Sequence, residues 1–205
     1  MKLSIITPCC RPEHLDSIRS SFANDFEDWH WYIVYDGNKV EEDIKKYEND
    51  PKVTEWSVKG EGCMGNDQRN YALDRIDPDT DTMIYFLDDD NTIHPGFFSE
   101  ILPQVQNIPD VKQKLITFDQ WRHYQIRPRS HVLPGNKIAL GCIDTAMCLV
   151  HRHVIGDSRW ISTKYEADFH FFNELYEKVG KEHHLYLPHV GALYNNISHQ
   201  YYFHH

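Results

Sequence analysis

The sequence predicts an α/β fold with a mixed, mainly parallel sheet flanked by helices. Three observations carry that expectation. Short apolar runs alternate with helically patterned segments through the first half of the chain. Each of those runs stops at a proline, a glycine-containing turn or an acidic cluster. The second half continues as further strands with little helix between them, so the sheet is mixed rather than purely parallel.

Leu3 to Thr7 reads as a buried strand ended by Pro8, and Pro12 to Phe22 follows with Leu15, Ile18 and Phe22 at helical spacing. Trp31 to Tyr35 is a second strand, closed by the turn Asp36-Gly37-Asn38. Val40 to Tyr47 is charged and helical in pattern, and Val53 to Val58 alternates as a third strand. Asn66 to Ile76 places Tyr71, Leu73 and Ile76 on one side of a helix that Asp77-Pro78-Asp79 stops. Met83 to Leu87 is the most apolar strand and runs straight into Asp88-Asp89-Asp90. Beyond it, Pro95 to Val105 reads as helix, and Leu115 to Phe118, Tyr124 to Ile126 and Ala146 to Val150 read as strands. Tyr165 to Val179 is a helix with Phe169, Phe172, Leu175, Tyr176 and Val179 on one face, and Leu185 to Val190 is the last strand. No repeat or low-complexity linker divides the chain, so residues 1–205 are expected to form a single domain.

The formal net charge is −10, with 40% hydrophobic and 25% charged residues, the make-up of a soluble globular protein. So acidic a surface repels phosphate backbones and argues against nucleic acid as a partner. No apolar stretch approaches the about 18 residues of a membrane-crossing helix, and the opening strand is too short for a signal-peptide core. Five cysteines, an odd number without a Cys-x-x-Cys pair, favour reduced thiols and a cytoplasmic location. Six of the 14 histidines lie between His183 and His205, where they read as a solvated terminal segment.

Ligands of open α/β sheets bind at the carboxyl ends of the parallel strands. Four polar features fall at such ends: Thr7 to Arg11, Asp36-Gly37, the glycine-rich stretch Gly60 to Gly65, and the acidic triplet. Three successive carboxylates repel one another and call for solvent or a cation. Asp88 and Asp90, two residues apart, can face one side and share a magnesium or manganese ion while Asp89 points elsewhere. A solvated acidic turn is the plainer alternative. The glycines up to Gly65 can turn backbone amides toward an anion, or form an ordinary loop. Arg69 sits in the first turn of a helix, where the dipole disfavours a cation. It therefore asks for an anion nearby, a diphosphate or the triplet itself. Asp36 can accept a hydrogen bond from a base or ribose, or simply shape its turn. Glu166-Ala167-Asp168 opens the aromatic-faced helix, as acids favoured by the helix dipole or as the source of a general base.

The ordered segments SIITPCCRPEHL, WYIVYDGN, GCMGNDQRNYAL, YFLDDDNTIHPGFF and YEADFHFFNEL resemble the glycosyltransferase family 2 proteins. Those proteins have the GT-A fold, a Rossmann-like nucleotide-binding architecture, and the resemblance runs from about residue 3 to 190. It implies inverting transfer of a sugar from a nucleotide diphosphate donor, a UDP-sugar, to an acceptor hydroxyl in glycan or polysaccharide synthesis. Mn²⁺ or Mg²⁺ is the implied cofactor. Thr7, Pro8 and Arg11 then contact the nucleoside, Asp36 reads the base, and Gly65 and Arg69 lie at the diphosphate. Asp88-Asp89-Asp90 matches the Asp-x-Asp motif for donor and metal, with Asp90 and Asp88 as ligands and His199 as a further one; His189 is a weaker choice. Asp168 is the implied catalytic base, with Glu166 as its substitute. Residues of about 1–92 form the donor-binding half, and about 93–205 the acceptor-binding half. Trp121, His123, Tyr124, Trp160 and the histidine-rich tail offer surfaces to a glycan, lipid-linked or other hydroxyl acceptor. A membrane-bound acceptor requires peripheral association, for which no basic amphipathic stretch stands out.

The chain departs from the family in three places. Cys9-Cys10 replaces Tyr-Asn after an inverted Thr-Pro, Gln68 stands before the arginine, and Ala167 replaces the glutamate of Glu-Asp. A nucleotidyltransferase also joins an α/β sheet to acidic residues and a metal, but Pro8-Cys9-Cys10-Arg11-Pro12 lacks the glycine and lysine its first loop requires. A non-catalytic module that binds a nucleotide sugar is the third reading.

Overall fold

The computed structural model of the protein describes residues 1–23, 26–41, 44–62, 64–122 and 131–197. Four strands build the first half of the sheet: β1 (Lys2–Cys9), β2 (Trp29–Asp36), β3 (Val53–Val58) and β4 (Thr82–Phe86). All their pairings are parallel. The second half adds β5 (Thr92–Ile93), β6 (Leu115–Arg122), β7 (His131–Leu133), β8 (Cys148–His151) and β9 (His184–Tyr194). The spatial order is β3-β2-β1-β4-β8-β6-β9-β5, with β7 paired to β6. Strand β8 is antiparallel to both β4 and β6, which makes the sheet mixed as expected.

Alternate residues of the central strands feed opposite layers. Leu3 and Ile5 of β1 and Met83 and Tyr85 of β4 pack with Leu15 and Ile18 of α1 (Leu15–Ser20) and with Leu102 and Val105 of α3 (Leu102–Gln106). Ile6, Ile84 and Phe86 face the other way. They meet Ala72 and Leu73 of α2 (Asn66–Leu73), Ile155 of α4 (Arg152–Ile155) and Phe171, Phe172 and Leu175 of α5 (Ala167–Val179). Burial on both faces explains why β1 and β4 read as unbroken apolar runs rather than as alternating strands. Among the described residues no helix is long and apolar enough to cross a membrane.

Several expectations change, these among them. Val40 to Tyr47 forms no helix in its described residues. The Glu55 carboxylate on β3 accepts the Lys46 and Tyr47 amides at 2.8 and 2.9 Å, taking donors that a helix would use. Pro95 to Val105 is helical but includes a π-helical turn over Phe97–Ile101, just before Pro103, which has no N–H for a regular ladder. The helix expected from Tyr165 begins at Ala167. The strand Tyr124 to Ile126 lies outside the described residues.

Candidate functional site

The chain runs from β1 outward to β2 and β3, then returns to the opposite side of β1 as β4. That reversal leaves a crevice at the carboxyl ends of β1 and β4, the place where doubly wound sheets take ligands. A cavity of about 490 Å³ occupies it. Pro8, Arg11, Asp36, Gly65, Arg69, Asp88, Asp89, Asp90 and Asp168, all singled out from the sequence, line it together.

Each acid of the triplet has its own partner. Asp88 and Asp90 both border the cavity. Asp88 is paired with Arg69, and Asp90 with Arg11 at 3.0 Å. The Asp89 side chain is only 4% exposed. It accepts the Cys10 and Arg11 amides at 2.7 and 2.9 Å and Arg11 Nε at 2.9 Å, and forms a further short contact with Arg11 Nη2. Its carboxylate therefore ties the loop after β1 to the end of β4, while Asp89 also lines the cavity. Burial, and then the charge of Asp88, push the Asp90 carboxyl up to about 6, and Arg11 offsets only part of this.

Arg69 lines the cavity but is only 3% exposed. Its Nη1 donates to the Met64 carbonyl at 2.8 Å and to Asn66 Oδ1 at 2.9 Å, while Nη2 faces Asp88. The anion its helical position called for is thus Asp88. Gly65, the N-cap of α2, has φ +77°, and a Cβ there would lie 2.5 Å from Pro8 Cβ. The loop needs glycine on both counts. Gly65→Ala is expected to cost about 1–3 kcal/mol, read from urea denaturation. The amide cradle expected of the glycine stretch is partly taken up, since Gly62 N–H donates to Asp67 Oδ2 at 2.6 Å.

At the end of β2, Asp36 borders the cavity with Lys39 at 3.4 Å and accepts the Asn38 amide at 3.1 Å. The opposite wall is the start of α5. Asp168 lines it, whereas Glu166 is exposed and does not. Burial raises the Asp168 carboxyl above its ordinary range, while the Phe169 amide and then Arg69 pull it back. Asp168 is the acid of the pair that can meet a bound substrate.

Some expected contacts are elsewhere. Thr7 is fully buried, and its hydroxyl accepts Trp31 Nε1 at 2.9 Å inside the core, so it does not contact a nucleoside. His189 stands outside the cavity lining with its ring nitrogens bonded to Glu100 and Gln104, so it is no metal ligand there. Trp160 is 2% exposed and so offers no stacking face to an acceptor, and Trp121 is exposed but outside the cavity. His199, His123 and Tyr124 lie outside the described residues.

Asp144 is the cavity acid that the sequence reading missed. It accepts Gln120 Nε2 at 3.1 Å and Arg122 Nη2 at 2.9 Å. Burial raises it to about 6, with Arg122 pulling down and Asp88 pushing up. Tyr165, 70% exposed, and Tyr194 complete that side.

No family model matches the chain, and no curated protein is similar to it in sequence. Solved structures match its fold. S. aureus TarS 1–349 in complex with UDP-GlcNAc superposes with a TM-score of 0.72 at 14% identity, over 94% of this chain and 58% of that one. Longer S. aureus TarS superposes at 0.69 and 15% identity, over 94% of this chain and 36% of that one. Francisella tularensis 2-C-methyl-D-erythritol 4-phosphate cytidylyltransferase reaches 0.46 at 14% identity, over 89% and 83% of the two chains. The chain thus spans roughly a third to three fifths of the TarS chains it matches. The mixed sheet flanked by helices is that of the GT-A glycosyltransferases.

Proposed function

We propose that this protein transfers a sugar from a UDP-sugar to an acceptor hydroxyl, inverting the anomeric carbon. The observation that carries the reading is the convergence, in one cavity, of Asp36 from the end of β2, the Arg69–Asp88 pair from α2 and the loop after β4, and Asp168 from α5. The TarS neighbour solved with UDP-GlcNAc has the same fold, which supports the choice of donor.

Asp36 and Pro8, at the ends of β2 and β1, bind the nucleoside. Arg69 holds Asp88 at the diphosphate, and Arg11 does the same for Asp90. On the far wall Asp168 takes the proton from the acceptor hydroxyl. That oxygen then forms its bond to the anomeric carbon as the bond to the diphosphate breaks, and the UDP leaves with the electron pair.

The residues also fit a divalent cation. Among the described residues six carboxylates line the cavity against three cationic side chains, a balance that repels a diphosphate unless positive charge is added. Asp88 and Asp90 are hard oxygen ligands of the kind Mg²⁺ and Mn²⁺ take, and such ions draw most of their shell from phosphates and water. Among the described residues no three ligating side chains come together. We assign His199 as the third ligand: Ile197, two residues before it, donates its amide to the Asp90 carbonyl at 3.3 Å, which brings the chain to the triplet. When bound, the ion offsets the charge that builds on the leaving diphosphate.

The test is a panel of nucleotide sugars with purified protein, reading nucleoside diphosphate release with and without Mn²⁺. Release from no donor, with UDP bound by calorimetry, would make the protein a binding module instead. A second expectation concerns the ion alone. At about 100 times its Kd, Mn²⁺ stabilises the fold by about 2.7 kcal/mol, seen as a raised melting temperature. Asp90→Asn abolishes that rise and His199→Ala reduces it.

A further inference from the structure

The face of Trp160 lies against the buried guanidinium of Arg69, with Cζ 4.6 Å from the ring centroid. The same indole stacks on Phe171 at 4.5 Å and an interplanar angle of 12°. Phe171 is three residues beyond Asp168 on α5, one turn along the helix. The segment that carries Trp160 is fastened to α2 by side chains of that helix. Asn70 accepts the Trp160 amide at 2.8 Å and donates to its carbonyl at 2.9 Å. Asn66 donates to the Ile161 and Lys164 carbonyls at 3.2 and 3.1 Å. Phe86, at the end of β4 just before the acidic triplet, meets the indole edge-on at 5.1 Å.

Two buried donors here have no acceptor among the described residues: Arg69 Nε and Trp160 Nε1. Proteins rarely leave such groups unpaired, and those they do leave call for an explanation. No described residue gives Arg69 the hydrogen bond at Nε that would fix its plane from that side. The flat indole supplies the constraint by cation–π contact in a dry setting, where such contact is strongest.

We infer that Trp160 is a positioning residue that sets the plane of Arg69 against Asp88 and couples that pair to the helix bearing Asp168. The inference rests on the reading of this cavity as a donor site. Asn70 is part of the device, because it holds the Trp160 backbone at both its donor and its acceptor.

The experiment measures UDP binding by calorimetry in Mn²⁺ buffer, together with the Arg69 Nε–H signal in a ¹⁵N correlation spectrum, assigned by its loss in Arg69→Lys. Trp160→Leu and Asn70→Ala each weaken UDP binding about tenfold, in line with a desolvated cation–π contact, and broaden the Nε signal. Trp160→Phe, which retains a ring face, stays within about threefold of the wild type. Leu175→Ala, buried in the same core layer but away from the cavity, loses stability with UDP affinity intact. Wild-type UDP affinity and an unmoved Nε signal in Trp160→Leu overturn the inference, as does an equal loss of affinity in Leu175→Ala. Should Trp160→Leu fail to fold, Asn70→Ala decides by the same two readouts. If the wild type itself binds no UDP, the donor-site reading fails, and the Nε signal alone decides whether Trp160 positions Arg69.

Discussion

Asp168→Asn lowers kcat by about 10²–10⁴-fold, the usual contribution of a positioned general base, and leaves the melting temperature unchanged or raised. An amide has nearly the shape of the carboxylate but cannot take a proton from the acceptor. Donor affinity is retained, so the loss appears in kcat and kcat/KM together rather than in KM. Burial raises the Asp168 carboxyl above its ordinary range, which also fixes the signs of two further measurements. The base works when deprotonated, so the rate falls as pH falls through this raised value. The acid limb of the wild-type profile therefore lies above the ordinary aspartate region of about 4, and residual activity in Asp168→Asn lacks that limb. For stability, a group whose folded pKa is raised weakens the fold once pH rises past it. Removing the carboxylate at neutral pH relieves that cost, so an inactive Asp168→Asn is an inactive folded protein. Wild-type turnover in the folded variant would remove Asp168 from the chemistry and leave Glu166, which is exposed and off the cavity, as a poor substitute.

How the site could be read from the sequence follows from where each residue sits. Asp36 and Asp88 to Asp90 end parallel strands, and an acid at the end of an apolar run marks both the strand and its exit into a crevice. Asp144 has no such sign. It precedes β8, which is antiparallel to β4, so the amino end of β8 comes to the carboxyl end of β4. A search confined to strand exits passes over a residue at a strand entrance. Thr7 failed for a related reason: its position on β1 was right, but alternation along a strand buried on both faces sends it into the core beside Trp31. The sequence offers Trp160 as an aromatic surface, yet nothing local to positions 157 to 163 reveals that Asn70, ninety residues earlier, closes on its backbone. The strands Thr92–Ile93 and His131–Leu133 are too short to show a period. The segment Val40 to Tyr47 had the period of a helix, but Glu55 outbid the local preference by taking two of its amides.

The same chemical change at neighbouring positions of the triplet is expected to cost very different amounts of stability. Asp89→Ala destabilises the fold by about 3–5 kcal/mol, as breaking a buried ion pair does. It removes the acceptor of two backbone amides and of the Arg11 side chain at once, and frees the loop Cys10-Arg11 that forms one wall of the cavity. Asp89→Asn loses less but still destabilises, because a neutral amide satisfies Arg11 poorly and one of its ends is a donor. Asp90→Asn costs little or nothing. Burial and the adjacent Asp88 already disfavour the Asp90 charge, and Arg11 keeps Asp89 as its partner. Asp88→Asn falls between the two, since it leaves the Arg69 guanidinium, only 3% exposed, facing a neutral group. Urea denaturation of the three asparagine variants, set beside their Mn²⁺-induced shifts in melting temperature, separates the roles. Asp89→Asn should lose stability and keep a metal response, while Asp90→Asn should keep stability and lose the response. If Asp89→Ala melts like the wild type, the loop is held by other contacts, and Asp89 is free to serve the donor alongside its neighbours.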